Sequence, residues 1–340
     1  MDATAYYAIG IPLYIVLFGV EALIGRARRL PGPSFAGSVS NITDGLGAIV
    51  VGMVIGPLMV ALYDWAFHTF ALVAWSGSWW LPFGVALVLG DLANYWRHRA
   101  EHRFAVLWAV HNVHHTPAEL NLSVGMRHAW LSDTYAFPFY AVLPVLGIPT
   151  AQFFLAMVAL TLYALFTHAR ALPFPSFGVL VTPQSHAVHH ACNPRYVGKN
   201  FAAMFTIWDR LFGTYAALDP AEPPRFGLGR RGETHDAALA QWVGFRALLA
   251  GAASPHEAAT DPLSARARGY VVAQLALLIA FSSYVYGLHG WPALAGGLLV
   301  LLAIIGIGGV LDHRRSARVF ETIRLAIFVP AAALLVGVTW

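Results

Sequence analysis

Eight of the chain's fifteen histidines fall into three short clusters. They are His98 and His102; His111, His114 and His115; and His186, His189 and His190. On a helix, residues three or four apart stand on one face about a turn apart. Several imidazoles can then converge on a metal. Neutral imidazole suits iron, copper, zinc and nickel alike. Eight histidines exceed what one ion uses, since a structural zinc takes about four ligands, so two ions are the economical expectation. A lone histidine is more often packed or interfacial, and His68, His235, His256, His289 and His313 are read that way.

Further residues extend the candidate set. His168 ends an apolar segment and is expected to be a ninth ligand, and His128 is a candidate additional ligand or outer partner. Asp91 and Asn94 lie seven and four residues before His98, on the helix face it shares with His102. Ligating histidines usually donate their other ring nitrogen to a carboxylate or carbonyl, and Asp91 is the first choice for that role. Other metal chemistries fit poorly. The single cysteine, Cys192, excludes a thiolate zinc or iron–sulfur site within one chain. HExxH is absent, so a zincin-type protease lacks its base. Glu101 is the only carboxylate within the boxes, whereas ferritin-like sites need several glutamates. Bis-histidine haem needs single histidines on facing helices. No group beyond the ligands is assigned a catalytic role, and Asp209–Arg210 is read as an ion pair anchoring an interfacial helix.

The elements that must position these residues are membrane helices. The chain of 340 residues is 58% hydrophobic and 11% charged, against roughly 25% charged in soluble domains, and its mean hydropathy is +0.61. An all-α polytopic integral membrane protein with about eight transmembrane helices is expected. Apolar segments cover 5–24, 43–75, 79–97, 131–147, 150–168, 269–287, 291–309 and 320–338. The first reads as a true span, not a signal peptide. The second is too long for one upright helix. Residues 1–268 form the expected catalytic domain, with its core at 80–216, and 269–340 a three-helix extension.

Charge sets the expected sidedness. With alternating spans, 25–42, 97–130, 168–268 and 310–319 share a side, and all but one of the 21 Lys and Arg residues fall there. The positive-inside rule makes that side, with every histidine cluster, cytoplasmic. The same asymmetry accounts for the net charge of +4 without a nucleic-acid partner.

The pattern His98-Arg99-x-x-His102, His111-x-x-His114-His115 and His186-x-x-His189-His190 resembles the three boxes of the fatty acid hydroxylase/sterol desaturase superfamily. Similarity is nearest to its alkylglycerol monooxygenase-like bacterial branch, through NPRYVGKNFAAMFTIWDRLFGTY after the last box, Asn121-Leu122-Ser123 and Arg127. The resemblance covers roughly residues 80–216 and leaves out the last three spans. It implies a non-haem di-iron centre, O2 as oxidant, a lipid substrate, hydroxylation or desaturation of an unactivated C–H bond, and a bacterial inner membrane. The sequence has no nucleotide-binding or iron–sulfur motif, so electrons must come from an external ferredoxin, another reductase or a pterin. Two positions depart from the branch: Arg103 stands where members often carry Glu, and His128 where Gln is matched. A desaturase on the same fold is the alternative. A non-enzymatic metal or lipid transporter is a remote one, which predicts histidines spread through the membrane depth.

Overall fold

In the computed structural model, residues 3–172, 174, 178–228, 234–250 and 263–339 are described. The fold is all-α: helices make up 70% of the structure and no strand occurs among the described residues. In chain order the helices are α1 (Ala3–Ala27), α2 (Phe35–Phe70), α3 (Trp80–Arg103), α4 (Ala105–His111), α5 (Phe137–Tyr140), α6 (Val142–Val145), α7 (Thr150–Thr167), α8 (Pro183–His189), α9 (Ile207–Leu211), α10 (Ala237–Ala250), α11 (Ala265–Tyr286), α12 (Gly290–Leu311) and α13 (Ala317–Thr339). Short 3-10 turns at Asn112–His115, Leu122–Met126 and Ser132–Tyr135 join the middle elements.

Among the described residues, α2, α7, α11, α12 and α13 are long and apolar enough to cross a membrane. The protein is an integral membrane protein. At about 1.5 Å per residue, the 36 residues of α2 form one rod, continuous through Pro57. The expected span over 131–147 is instead broken into a 3-10 turn, α5 and α6. Pro138 and Pro144 interrupt it, because proline has no N–H to donate and its ring crowds the preceding turn. The following turn needs glycine at Gly147: its φ is +74°, and a Cβ there would sit 1.9 Å from the Val73 carbonyl oxygen.

α12 is the central helix. Of its most apolar window 61% is buried, against 17% for α2 and for α13, whose outer faces are left to lipid. Its Val300, Ile304 and Ile307 share a core with Leu46 of α2, Ala237 of α10 and Leu278 of α11. The last three helices therefore pack on the body that carries the histidines. A second core joins Tyr63 of α2, Ala86 and Ala93 of α3, Leu143 of α6 and Phe153 of α7. Tyr63 stacks on Phe153 at 4.1 Å between centroids and donates to the Ile148 carbonyl.

Candidate metal centre

Four short stretches of chain present nine histidines to one place. α3 supplies His98 and His102 near its C-terminus, and α4 ends at His111 before tightening into the 3-10 turn that carries His114 and His115. His168 caps α7. α8 carries His186 and His189 and is capped by His190. That seven-residue helix is defined by its start: Thr182 and Ser185 form a reciprocal capping box with Pro183 in the first turn.

The nine side chains separate into two groups, His98, His102, His111, His115 and His189, and His114, His168, His186 and His190. Within each group the donor atoms all lie within 4.8 Å of one another. The groups adjoin, with His115 stacked on His190 at 4.5 Å between centroids. The clusters do not map one to each group. Consecutive residues on an α-helix point about 100° apart, and on a 3-10 turn about 120°. His189 and His190 therefore diverge, and so do His114 and His115, one of each pair joining each group.

The hydrogen bonds fix the ring tautomers. A carbonyl only accepts, so Nδ1 must donate in His98 to Phe201 O (2.9 Å), His114 to Arg127 O (2.7 Å), His168 to Ala164 O (2.8 Å) and His189 to Lys199 O (3.0 Å). Each neutral ring then presents a bare Nε2 lone pair. The Nε2 atoms of His98, His102 and His189 are buried with no hydrogen-bond partner. In the second group, His114 and His168 bring Nε2 atoms to 3.3 Å, and His186 and His190 approach His168 at 3.1 and 3.2 Å. Two lone pairs facing at that range repel unless a cation stands between them. Donors about 2.1 Å from a common ion stand roughly 3.0–3.4 Å apart, so the residues fit a metal. Burial pushes His111, His114, His115, His186, His189 and His190 well below the usual imidazole range, which keeps them neutral and able to ligate.

The surrounding groups differ from the expected ones. Asp91 and Asn94 do not touch His98 or His102. Seven residues of helix separate Asp91 from His98 by about 10 Å along the axis. The Asp91 carboxylate instead accepts from Met204 N, Phe205 N and Trp208 Nε1, and Asn94 accepts from Tyr140. Glu101 takes the outer role: its Oε2 lies 3.2 Å from His111 Nδ1, while Oε1 accepts from Arg97 and Tyr135. The signal for it was present, because Glu101 is the only carboxylate within the boxes. The carbonyl partners carried no side-chain signal.

Asp209 is buried and accepts from Phe201 N, Ala202 N and Thr214, so it clamps the loop whose carbonyls hold His98 and His189. It makes no ion pair with Arg210, whose guanidinium lies 4.1 Å from the Tyr215 ring centroid. His128 is in neither group; its Nε2 pairs with Ser132. Arg127 holds the second cluster from behind. Its side chain donates to Val113 O, Thr116 and Ser40, and its own carbonyl accepts from His114. Gly244 lets α10 lie against that cluster, since a Cβ would meet Ala109 O at 2.1 Å. Arg103 is exposed at the end of α3. Of the five singletons, His68, His235, His289 and His313 lie outside both groups and His256 lies outside the described residues.

Comparison with known proteins gives the same region. The fatty acid hydroxylase family model matches residues 83–214, which contain all nine histidines. The chain is 32% identical over 219 residues to alkylglycerol monooxygenase of Danio rerio, covering 60% of this chain and 46% of that protein. It is 26% identical to alkylglycerol monooxygenase of Xenopus tropicalis, covering 93% of this chain and 79% of that protein. With alkylglycerol monooxygenase of Homo sapiens it is 26% identical, covering 79% and 68%. In the zebrafish alignment the chain thus spans about half the relative's length. No solved structure matches the chain.

Proposed function

We propose that this chain, which belongs to the fatty acid hydroxylase superfamily, is a membrane-bound non-haem di-iron oxygenase that uses O2 to hydroxylate a C–H bond of a lipid. The observation that carries this reading is the pair of adjoining all-histidine groups in a membrane protein. His98, His102, His111, His115 and His189 would hold one ion, and His114, His168, His186 and His190 the other. When bound, the metal pair supplies the redox chemistry: O2, two electrons and two protons convert R–H to R–OH and water.

The chain's own residues do the rest. Four backbone carbonyls and Glu101 orient rings and fix which nitrogen is bare. Trp108 packs on His102 and His115, and Phe201 packs on His98, His102 and His189. These aromatic walls exclude water from the place where a strong oxidant must form. The charge asymmetry supports a cytoplasmic face, where an external ferredoxin, other reductase or pterin would deliver electrons. The branch resemblance supports a bacterial inner membrane. A transporter is disfavoured because the histidines gather in one place and do not form a path.

The test is metal analysis of purified protein together with lipid mass spectrometry of cells expressing wild type and His115→Ala. About two irons per chain and a lipid gaining one oxygen, both lost in the variant, are expected. A lipid losing two hydrogens would replace hydroxylation by desaturation. Active protein with one metal or none overturns the di-iron reading.

A further inference from the structure

Beside the second histidine group lies a cavity of about 390 Å³, between the C-terminal end of α1, the Pro31–Pro33 turn, residues 118–121 and the 224–226 loop. Its charged lining is Glu21, Glu119, Arg170 and Arg225. The two acids are already engaged. Glu21 accepts from Leu122 N and Ala171 N, and Glu119 accepts from the Ser34 N–H and hydroxyl at the start of α2. Among the described residues, neither guanidinium has an acidic partner. Arg170 is half-buried, and its recorded side-chain contact is with the Phe226 ring, 5.2 Å from the centroid. Arg225 is exposed, and its hydrogen bonds are made by its backbone, to Asn193 and Cys192.

Part of the remaining wall is apolar. Phe18, Ala22 and Leu30 line the cavity, and α1 continues away from it with Leu13, Val16 and Leu17 exposed. A pocket holding two guanidiniums without acidic partners, at the end of a helix with exposed apolar side chains, matches an amphiphile whose head is an anion. Planar guanidinium forks match phosphoryl oxygens in particular.

The cavity also adjoins the reactive place. Arg170 follows His168 by two residues, and Leu120 and Asn121 lead into the 3-10 turn Leu122–Met126. Tyr14 of α1 donates to Leu122 O, and a Cβ at Gly125 would stand 2.9 Å from that tyrosine oxygen and 3.2 Å from His168 Nδ1. One turn of chain therefore borders both the cavity and the histidines.

We propose that Arg170 and Arg225 form a binding site for the phosphoryl headgroup of a lipid, held at the membrane boundary beside the second histidine group. The site deepens the lipid-oxidising reading by naming the head of the molecule presented to it, and it rests on that reading only for the lipid's fate. Binding is therefore measured apart from turnover, so that failure of either is separately visible.

The experiment is calorimetric titration of metal-loaded full-length protein in detergent with dihexanoyl phosphatidic acid, dihexanoylglycerol and inorganic phosphate. The phosphatidic acid should bind at least about tenfold more tightly than either of the others. Arg170→Gln with Arg225→Gln should remove that preference with the metal content unchanged. Equal affinity for the neutral lipid, or a preference that survives the double variant, overturns the site. Inorganic phosphate binding as tightly as the lipid overturns the lipid source. If the double variant loses its metal through misfolding, Arg225→Gln alone decides: it is exposed and should weaken phosphatidic acid binding severalfold, and no change overturns the proposal.

Discussion

His189 and His190 are consecutive residues with ring planes 89° apart and centroids 5.4 Å apart, and they belong to different histidine groups. The helical step between neighbours sends the two side chains in different directions, and it lets one short helix serve both histidine groups. His189→Ala and His190→Ala should each lower the metal content from about two to about one per chain, while removing different ions. Metal analysis with a spectroscopic probe of the remaining ion checks this. Loss of both ions in each single variant would mean that the groups load as one unit.

Glu101→Gln keeps the side chain's shape but takes the charge from His111 Nδ1 and from Arg97. Outer partners of metal-binding histidines are worth roughly 10–100-fold in metal affinity, and chelator competition should read a loss in that range. The fold should weaken as well, since Asp133, at 3.8 Å, is then the one acidic partner left to Arg97 among the described residues.

Asp91→Asn leaves one side-chain oxygen where two served Met204 N, Phe205 N and Trp208 Nε1. An unsatisfied buried donor costs about 1–3 kcal/mol, so the melting temperature should fall while the metal content at low temperature is retained. Direct ligation by Asp91 would instead show as metal loss in a folded protein.

His128→Gln should leave the metal content unchanged, because His128 lies in neither group and bonds Ser132. Glutamine can still reach a hydroxyl. A fall in metal content would place His128 closer to the ions than its hydrogen bond does.

In the metal-free protein, acid should destabilise the fold. Burial holds His111, His115, His186 and His190 neutral to well below their usual value. The unfolded chain takes up protons near pH 6.5 and the folded one does not. Stability should therefore be full above that pH and decline below it. Thermal melts of the metal-free protein from pH 8 to pH 5 check the sign, and a rising melting temperature would contradict it.

The sequence by itself determined the membrane class, the helical fold and which nine histidines gather. It could do so because hydropathy is a local sum and helical spacing is a local geometry. Its three boxes also sit inside the residues that the fatty acid hydroxylase family model matches. Tertiary structure alone decided how the nine histidines divide, because a split between His114 and His115 depends on which neighbours each ring meets. It decided that Glu101 and not Asp91 braces one of the gathered histidines, His111, since a shared helix face does not overcome about 10 Å of axial separation. It also decided that 131–147 is broken, and that the carbonyls of Lys199 and Phe201 set two rings. Those contacts join residues 10 and 103 positions apart, and backbone atoms common to every residue leave no trace in a sequence.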